Sequence, residues 1–233
     1  MKSPITGDKA SHKGKNMTAN GMTLVIANKN YSSWSMRAGL AVALTPVEVR
    51  EVVVPLDEPD TRAAILAHSP SGRVPALVDG PVTVWDSLAI CEYLAERFPG
   101  AGLWPEHTQA RAVARAVCAE MHSGFEALRT ECSMDLRRRG RSPRGPNWRP
   151  DAERIVTLWE DCLARFGGSE GFLFGRPGIA DCFYAPVVSR FITYDLPLSS
   201  VAADYARRIQ DWSPYRAWAD AAAQEPWDLG DDH

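Results

Sequence analysis

Apolar positions along the chain fall into two regimes. From Thr23 to about Phe98 they come in short β-prone runs alternating with helix-period stretches; beyond Gln109 helical spacing dominates and the strand signal nearly vanishes. Thr23–Ala27 reads as a buried strand and Asn28–Tyr31 as a loop. Ser32 and Ser33 can cap the helix expected over Trp34–Leu44, which Pro46 follows. Val49–Val54 is a second strand and Asp60–Ala67 a helix, broken at Ser69-Pro-Ser-Gly72. Strands Val74–Val78 and Val82–Trp85 meet at Asp79-Gly80-Pro81, a hairpin signal. A helix over Ser87–Phe98 is stopped by Pro99-Gly100.

This β-α-β-α-β-β-α order implies layered packing of helices on a sheet. The second half is expected to be all-helical, with helices over Gln109–Arg138, Asp151–Phe166, Ile179–Tyr194, Val201–Asp211 and Tyr215–Ala223. The expected organisation is α+β with two domains, an α/β domain over 23–100 and an all-α domain over 109–233. Residues 101–108 form the linker, and no internal repeat is evident. Residues 1–22 are polar, lack apolar periodicity and hold four of the five lysines, which reads as a disordered tail.

Composition narrows the function. The 233 residues are 45% hydrophobic and 24% charged, ordinary for a globular protein. No apolar run approaches the roughly 18 residues a membrane span needs, and no secretory signal opens the chain. Five dispersed cysteines without a CxxC pair argue for a reducing, cytoplasmic setting and against zinc-ribbon or dithiol chemistry. A net charge of −3 weakens a nucleic-acid reading. The histidines show no metal-ligand spacing.

Three features of the first half keep a consistent order: Ser32-Ser33-Trp34-Ser35-Met36-Arg37 at a strand-to-helix turn, Arg73-Val74-Pro75-Ala76-Leu77, and Asp86-Ser87 opening a helix. Together with the helical second half they resemble the glutathione transferase superfamily, whose fold joins a thioredoxin-like N-terminal domain to a helical C-terminal one. The resemblance covers Thr23 to about Trp227. The serine turn is similar to that of zeta-class and other serine-type enzymes, although Trp34 stands where the zeta class has cysteine. The absence of cysteine in this turn separates the chain from cysteine-type classes.

The resemblance implies a glutathione transferase that activates the glutathione thiolate for attack on a small electrophile. Its co-substrate is glutathione, with no metal, nucleotide or flavin, and the enzyme is a homodimer. Only the thiolate is a strong nucleophile. A serine hydroxyl donating to sulfur, with a helix N-terminus behind it, favours that form. Ser33 fits this role through its Ser-x-x-x-Arg spacing to Arg37, whereas the zeta register selects Ser32; both stay open, as does simple N-capping. Val74-Pro75 resembles the cis-proline dipeptide that pairs the cysteinyl backbone, with Arg73 facing the glycyl carboxylate. Ser87 would hold the γ-glutamyl carboxylate and Asp86 its ammonium.

In the helical half, Gly178-Ile-Ala-Asp181 is similar to the superfamily's capping motif, which gives Asp181 a folding role. Trp34, Met121 and Phe125 are candidates for the electrophile pocket, and His122 reads as core-lining. Six arginines between Arg137 and Arg149 form either a solvated loop or a basic rim for an anionic partner. The competing activities are a glutathione-dependent cis–trans isomerase of the maleylacetoacetate type and a non-catalytic binding protein on the same fold.

Overall fold

The computed structural model describes residues 21–230. Strand β1 (Met22–Ile26) runs parallel to β2 (Val49–Val53) and antiparallel to β3 (Ala76–Asp79), which pairs with β4 (Val82–Trp85), in the order β2-β1-β3-β4. Register sets Leu24 opposite Leu77 and Val25 opposite both Val52 and Ala76. Alternation along β1 feeds two cores. Met22, Leu24 and Ile26 join the main core, while Val25 packs with Val54, Ile65 and Ala76 on the other face. Helix α1 (Ser33–Ala43) and α3 (Ser87–Arg97) contribute to the main core, and α2 (Thr61–Leu66) inserts Ile65 into the smaller one.

The helical half comprises α4 (Thr108–Ser123), α5 (Glu126–Glu131), α6 (Trp148–Phe166), α7 (Ile179–Thr193), α8 (Ser200–Asp211) and α9 (Ser213–Ala223). Helix α7 is buried nearly all round, as its apolar sequence requires. It packs on α1 and α4, and so carries the main core from the sheet into the helices. Asp181 anchors its start: one carboxylate oxygen accepts from Gly178 N–H at 3.0 Å, the other from Leu173 N–H at 3.2 Å and Tyr205 O–H at 3.1 Å. Helix α9 lays Trp218 against Gly39 of α1, where a Cβ would overlap the indole ring. Among the described residues no helix is long and apolar enough to cross a membrane.

The long helix expected over Gln109–Arg138 is interrupted. It ends at Ser123; Gly124 is extended, with no room for a Cβ beside the Glu120 carbonyl, and Phe125 turns to φ +56°. After the short α5 the chain is irregular to Asn147, because buried Asp135 draws in Asn30 (2.9 Å) and the arginines at 138 (3.4 Å) and 141 (3.5 Å). Helix α6 starts three residues earlier than expected and accommodates Pro150 in its first turn, where no intrahelical N–H bond is needed. The tail expected over 1–22 falls outside the described residues except for Gly21 and Met22, and Met22 is the first residue of β1.

The loop Asn28–Tyr31 ahead of α1 is held from the far end of the chain. Glu225 accepts from Lys29 N–H (2.6 Å) and Asn30 N–H (3.1 Å), and Trp218 donates to the Lys29 carbonyl (3.0 Å). Arg137 bridges Tyr31 Oη (2.9 Å) to the carbonyls of Glu225 and Trp227.

Candidate functional site

The N-terminus of α1 separates the two candidate serines. Ser32 is the N-cap; its oxygen accepts from Ser35 N–H (3.3 Å) and its hydroxyl donates to Ser35 Oγ (2.8 Å), which also accepts from Ala27 N–H (3.0 Å). The Ser32 proton is therefore committed inside the protein. Ser33 accepts from Arg190 Nη2 at 3.4 Å, and its own proton has no such commitment. The first-turn N–H groups of Ser33 and Trp34 precede any i−4 carbonyl of the helix. Both serines are buried, and Trp34 is the residue of this turn that lines the adjoining cleft.

That cleft, about 760 Å³, lies between the sheet and helices α4 and α5. Ser71, Arg73, Val74 and Pro75 form one wall, and the Val74–Pro75 bond is cis. Trp85, Asp86 and Ser87 form the floor, and His122 and Arg129 face them. Ser87 is fully buried and its Oγ has no hydrogen-bond partner among the described residues. Asp86 sits at φ +79°, a conformation side-chain-bearing residues rarely adopt and one that clusters at functional sites. Its Oδ1 caps α3 through Leu88 N–H (2.8 Å) and Ala89 N–H (3.2 Å), leaving Oδ2 for His122 Nε2 at 3.1 Å.

Behind Trp34 lies a cluster of three arginines. Arg37 is 1% exposed, its guanidinium 4.3 Å from the Trp34 ring centre and 4.8 Å from that of Phe183; Nε and Nη1 have no partner. Arg129 approaches Trp34 at 5.6 Å. Arg190 donates to the Cys132 carbonyl (2.8 Å) and the Pro186 carbonyl (2.9 Å). Burial first, then repulsion from its neighbours, pushes Arg37 down to about 9 and Arg190 to about 10. Such a cluster raises the potential at the inner end of the cleft and favours an anion there.

Trp34, Arg73, Val74, Pro75, Asp86 and Ser87 thus line one cavity, with Ser32 and Ser33 at the buried root of α1 beside it. Met121 and Phe125 are core residues and do not line it. Both belong to the main core, which takes them out of the cleft lining in which they were expected. His122, expected as core-lining, joins the lining together with Arg129, Ser71 and Trp85, none of which had been singled out for it. Five of the six arginines from 137 to 149 make side-chain contacts within the chain: Arg137 with Tyr31, Arg138 and Arg141 with Asp135, Arg139 with the Leu136 carbonyl, and Arg149 over Trp148. Among the described residues no group of three or more His, Cys, Asp or Glu side chains converges as metal ligands.

Residues 31–97 match the family model "Glutathione S-transferase, N-terminal domain" and residues 111–221 match "Glutathione S-transferase, C-terminal domain". The chain belongs to the glutathione S-transferase family. It is 31% identical over 207 residues to the maleylacetoacetate isomerase of Pseudomonas aeruginosa, an alignment covering 84% of this chain and 89% of that one. A 46-residue stretch is 54% identical to the dichloromethane dehalogenase of Methylorubrum extorquens, covering 19% of this chain and 16% of that protein. Among solved structures, a glutathione transferase homolog from Burkholderia gl BGR1 with bound glutathione superposes with a TM-score of 0.69 at 21% identity, covering 88% of this chain and all of that one. A zeta-class maleyl pyruvate isomerase gives 0.68 at 24%, covering 88% and 98%. At these identities the two structures speak to the fold. The chain is an enzyme of the glutathione transferase kind, with glutathione as co-substrate.

Proposed function

We infer that the chain is a serine-type glutathione transferase acting on a small electrophile. The observation that carries this is the convergence, in one cleft, of the cis Val74–Pro75 turn and the unpartnered hydroxyl of Ser87, with the arginine-backed N-terminus of α1 at its inner end. Ser87 Oγ and the start of α3 would receive the γ-glutamyl carboxylate. The Val74 backbone would pair the cysteinyl residue like an added strand, and Arg73 would face the glycyl carboxylate. The thiol then reaches the first turn of α1.

Ser33 is the better thiolate donor. Its proton is free to turn to sulfur, and its oxygen accepts from a guanidinium, which makes the hydroxyl a stronger donor. The thiol S–H bond loses its proton to solvent and the sulfur lone pair forms the S–C bond. The leaving group departs with the electron pair of the bond that breaks. Trp34 would form part of the electrophile's wall. Homodimeric assembly and a cytoplasmic location complete the proposal; five unpaired, buried cysteines support the second, and sedimentation tests the first.

Calorimetry with glutathione, together with the ultraviolet thiolate signal against pH, tests the assignment. Ser33→Ala is expected to raise the apparent pKa of the bound thiol by about one, as loss of one hydrogen bond to an anion implies. Ser32→Ala should mainly lower stability. The opposite pattern transfers the role to Ser32, and binding without turnover, unchanged in both variants, favours a non-catalytic protein. The match to a maleylacetoacetate isomerase over most of the chain supports a second reading. In it the thiolate adds to a carbon–carbon double bond, the adduct rotates, and glutathione is expelled unchanged. Conjugates accumulate in the first case, and cis–trans conversion without thiol loss marks the second.

A further inference from the structure

His122 reaches the cleft from the helical half of the molecule and meets Asp86 from the other. Its ring is fixed edge-on to Trp34, with centroids 5.2 Å apart, and tilted over Phe183 at 6.2 Å. Nε2 lies 3.1 Å from Asp86 Oδ2, whereas Nδ1 is buried without a partner. The two oxygens of Asp86 have separate roles. Oδ1 accepts the N–H groups of Leu88 and Ala89, so it is tied to the start of α3. Oδ2 alone is left for the cleft, on a side chain 42% exposed. One carboxylate oxygen is thus shared between an imidazole and any cation that enters.

Resting on the glutathione reading above, we propose that His122 governs the access of the γ-glutamyl ammonium to Asp86, so that the cleft reads the free amino group of its ligand in competition with an imidazolium. With the imidazole neutral, the carboxylate charge is available to the ammonium. With the imidazole protonated, that charge is already matched and the ammonium meets a second cation. No other carboxylate among the described cleft-lining residues relieves the conflict. Glu92 on α3 is turned toward Trp104 and Arg115. The remaining charged groups facing this end are cations: Arg73 on the opposite wall, Arg129 from α5, and Arg37 of α1 behind Trp34. These guanidinium groups form a cationic background that disfavours an additional positive charge.

The test uses the full chain and S-methylglutathione, whose sulfur does not ionise, so thiol titration is removed from the measurement. Calorimetry on the wild type should give an affinity about tenfold weaker near pH 5.5 than near pH 7.5. His122→Gln keeps a neutral donor beside Asp86 and should bind with a flat profile. The analogue in which hydrogen replaces the γ-glutamyl amino group should bind the wild type with a flat profile too, a control that needs no variant. The inference is overturned if His122→Gln weakens at low pH as the wild type does, or if the amine-free analogue shows the same step. If S-methylglutathione binds at no pH, the glutathione reading of the cleft itself fails.

Discussion

Arg37 is a cation held almost wholly out of water with no carboxylate beside it, and that placement carries a measurable cost. Depression of its guanidinium from the ordinary arginine range to about 9 corresponds to about 5 kcal/mol against holding the charge there at neutral pH. The rings of Trp34 and Phe183 at 4.3 and 4.8 Å offset this by up to about 2 kcal/mol each. Replacing Arg37 with methionine keeps most of the volume and removes the charge. The ligand-free variant should therefore be more stable by about 1–3 kcal/mol, or several degrees in Tm for a chain of this size. The sign with pH follows from linkage. Because the folded protein binds the proton less tightly than the unfolded chain, the wild type carries the full cost below about pH 9 and loses it progressively as pH rises further. Urea melts at pH 7 and pH 10 should show the advantage of Arg37→Met shrinking at the higher value. The same variant should raise the apparent pKa of the bound glutathione thiol, since one of three cations behind the site is gone. A ligand-free Arg37→Met protein that is less stable at pH 7 by more than about 1 kcal/mol would refute the reasoning and mark Arg37 as a structural tie.

Four further outcomes follow from the structure. Asp181→Ala leaves the donors of Leu173, Gly178 and Tyr205 without their acceptor, which should cost about 3 kcal/mol or more in chemical denaturation. Burial raises the Asp181 carboxyl to about 7; its contribution to stability therefore grows as pH falls from about 7 toward 4, and Asp181→Asn should remove that slope from a stability–pH profile. Gly39→Ala drives a methyl into the Trp218 ring, with an expected loss of about 1–3 kcal/mol. Finally, all five thiols are buried, and burial pushes Cys132 and Cys162 up to about 12; a disulfide reagent should titrate them in the native state only at the rate of unfolding, and rapid reaction of one would contradict that burial.

Much of the fold was legible because local signals agreed with tertiary packing. The strand Val82–Trp85, the stop at Pro99 and the cap at Ser32 are each determined by residues within a few positions of the feature. The break after Ser123 was not, since apolar spacing continues through it. The interruption comes from the Gly124 and Phe125 backbone and from Asp151 and Asp135, which reorganise the following segment from a distance. The wall of the cleft formed by Val74, Pro75, Asp86 and Ser87 could be read from short motifs. The contact of His122 with Asp86 and the gathering of Arg129 and Arg190 around Arg37 could not, because three-dimensional proximity alone unites positions from separate helices. The orientation of Ser32 is set by Ser35 within the same motif, whereas that of Ser33 is set by Arg190 from α7, outside it.

The clamp of Glu225 and Arg137 on the loop Asn28–Tyr31 bears on the order in which the molecule is made. The contacts from Glu225 to that loop span 196 and 195 positions, so during synthesis the turn leading into α1 emerges early and waits for a segment translated nearly 200 residues later. The sheet can pair and the first helices can dock while the ribosome is still at work. The loop that leads into α1 gains these tethers only when residue 225 has left the exit tunnel, which makes completion of the α1 end of the cleft a late event for the nascent chain.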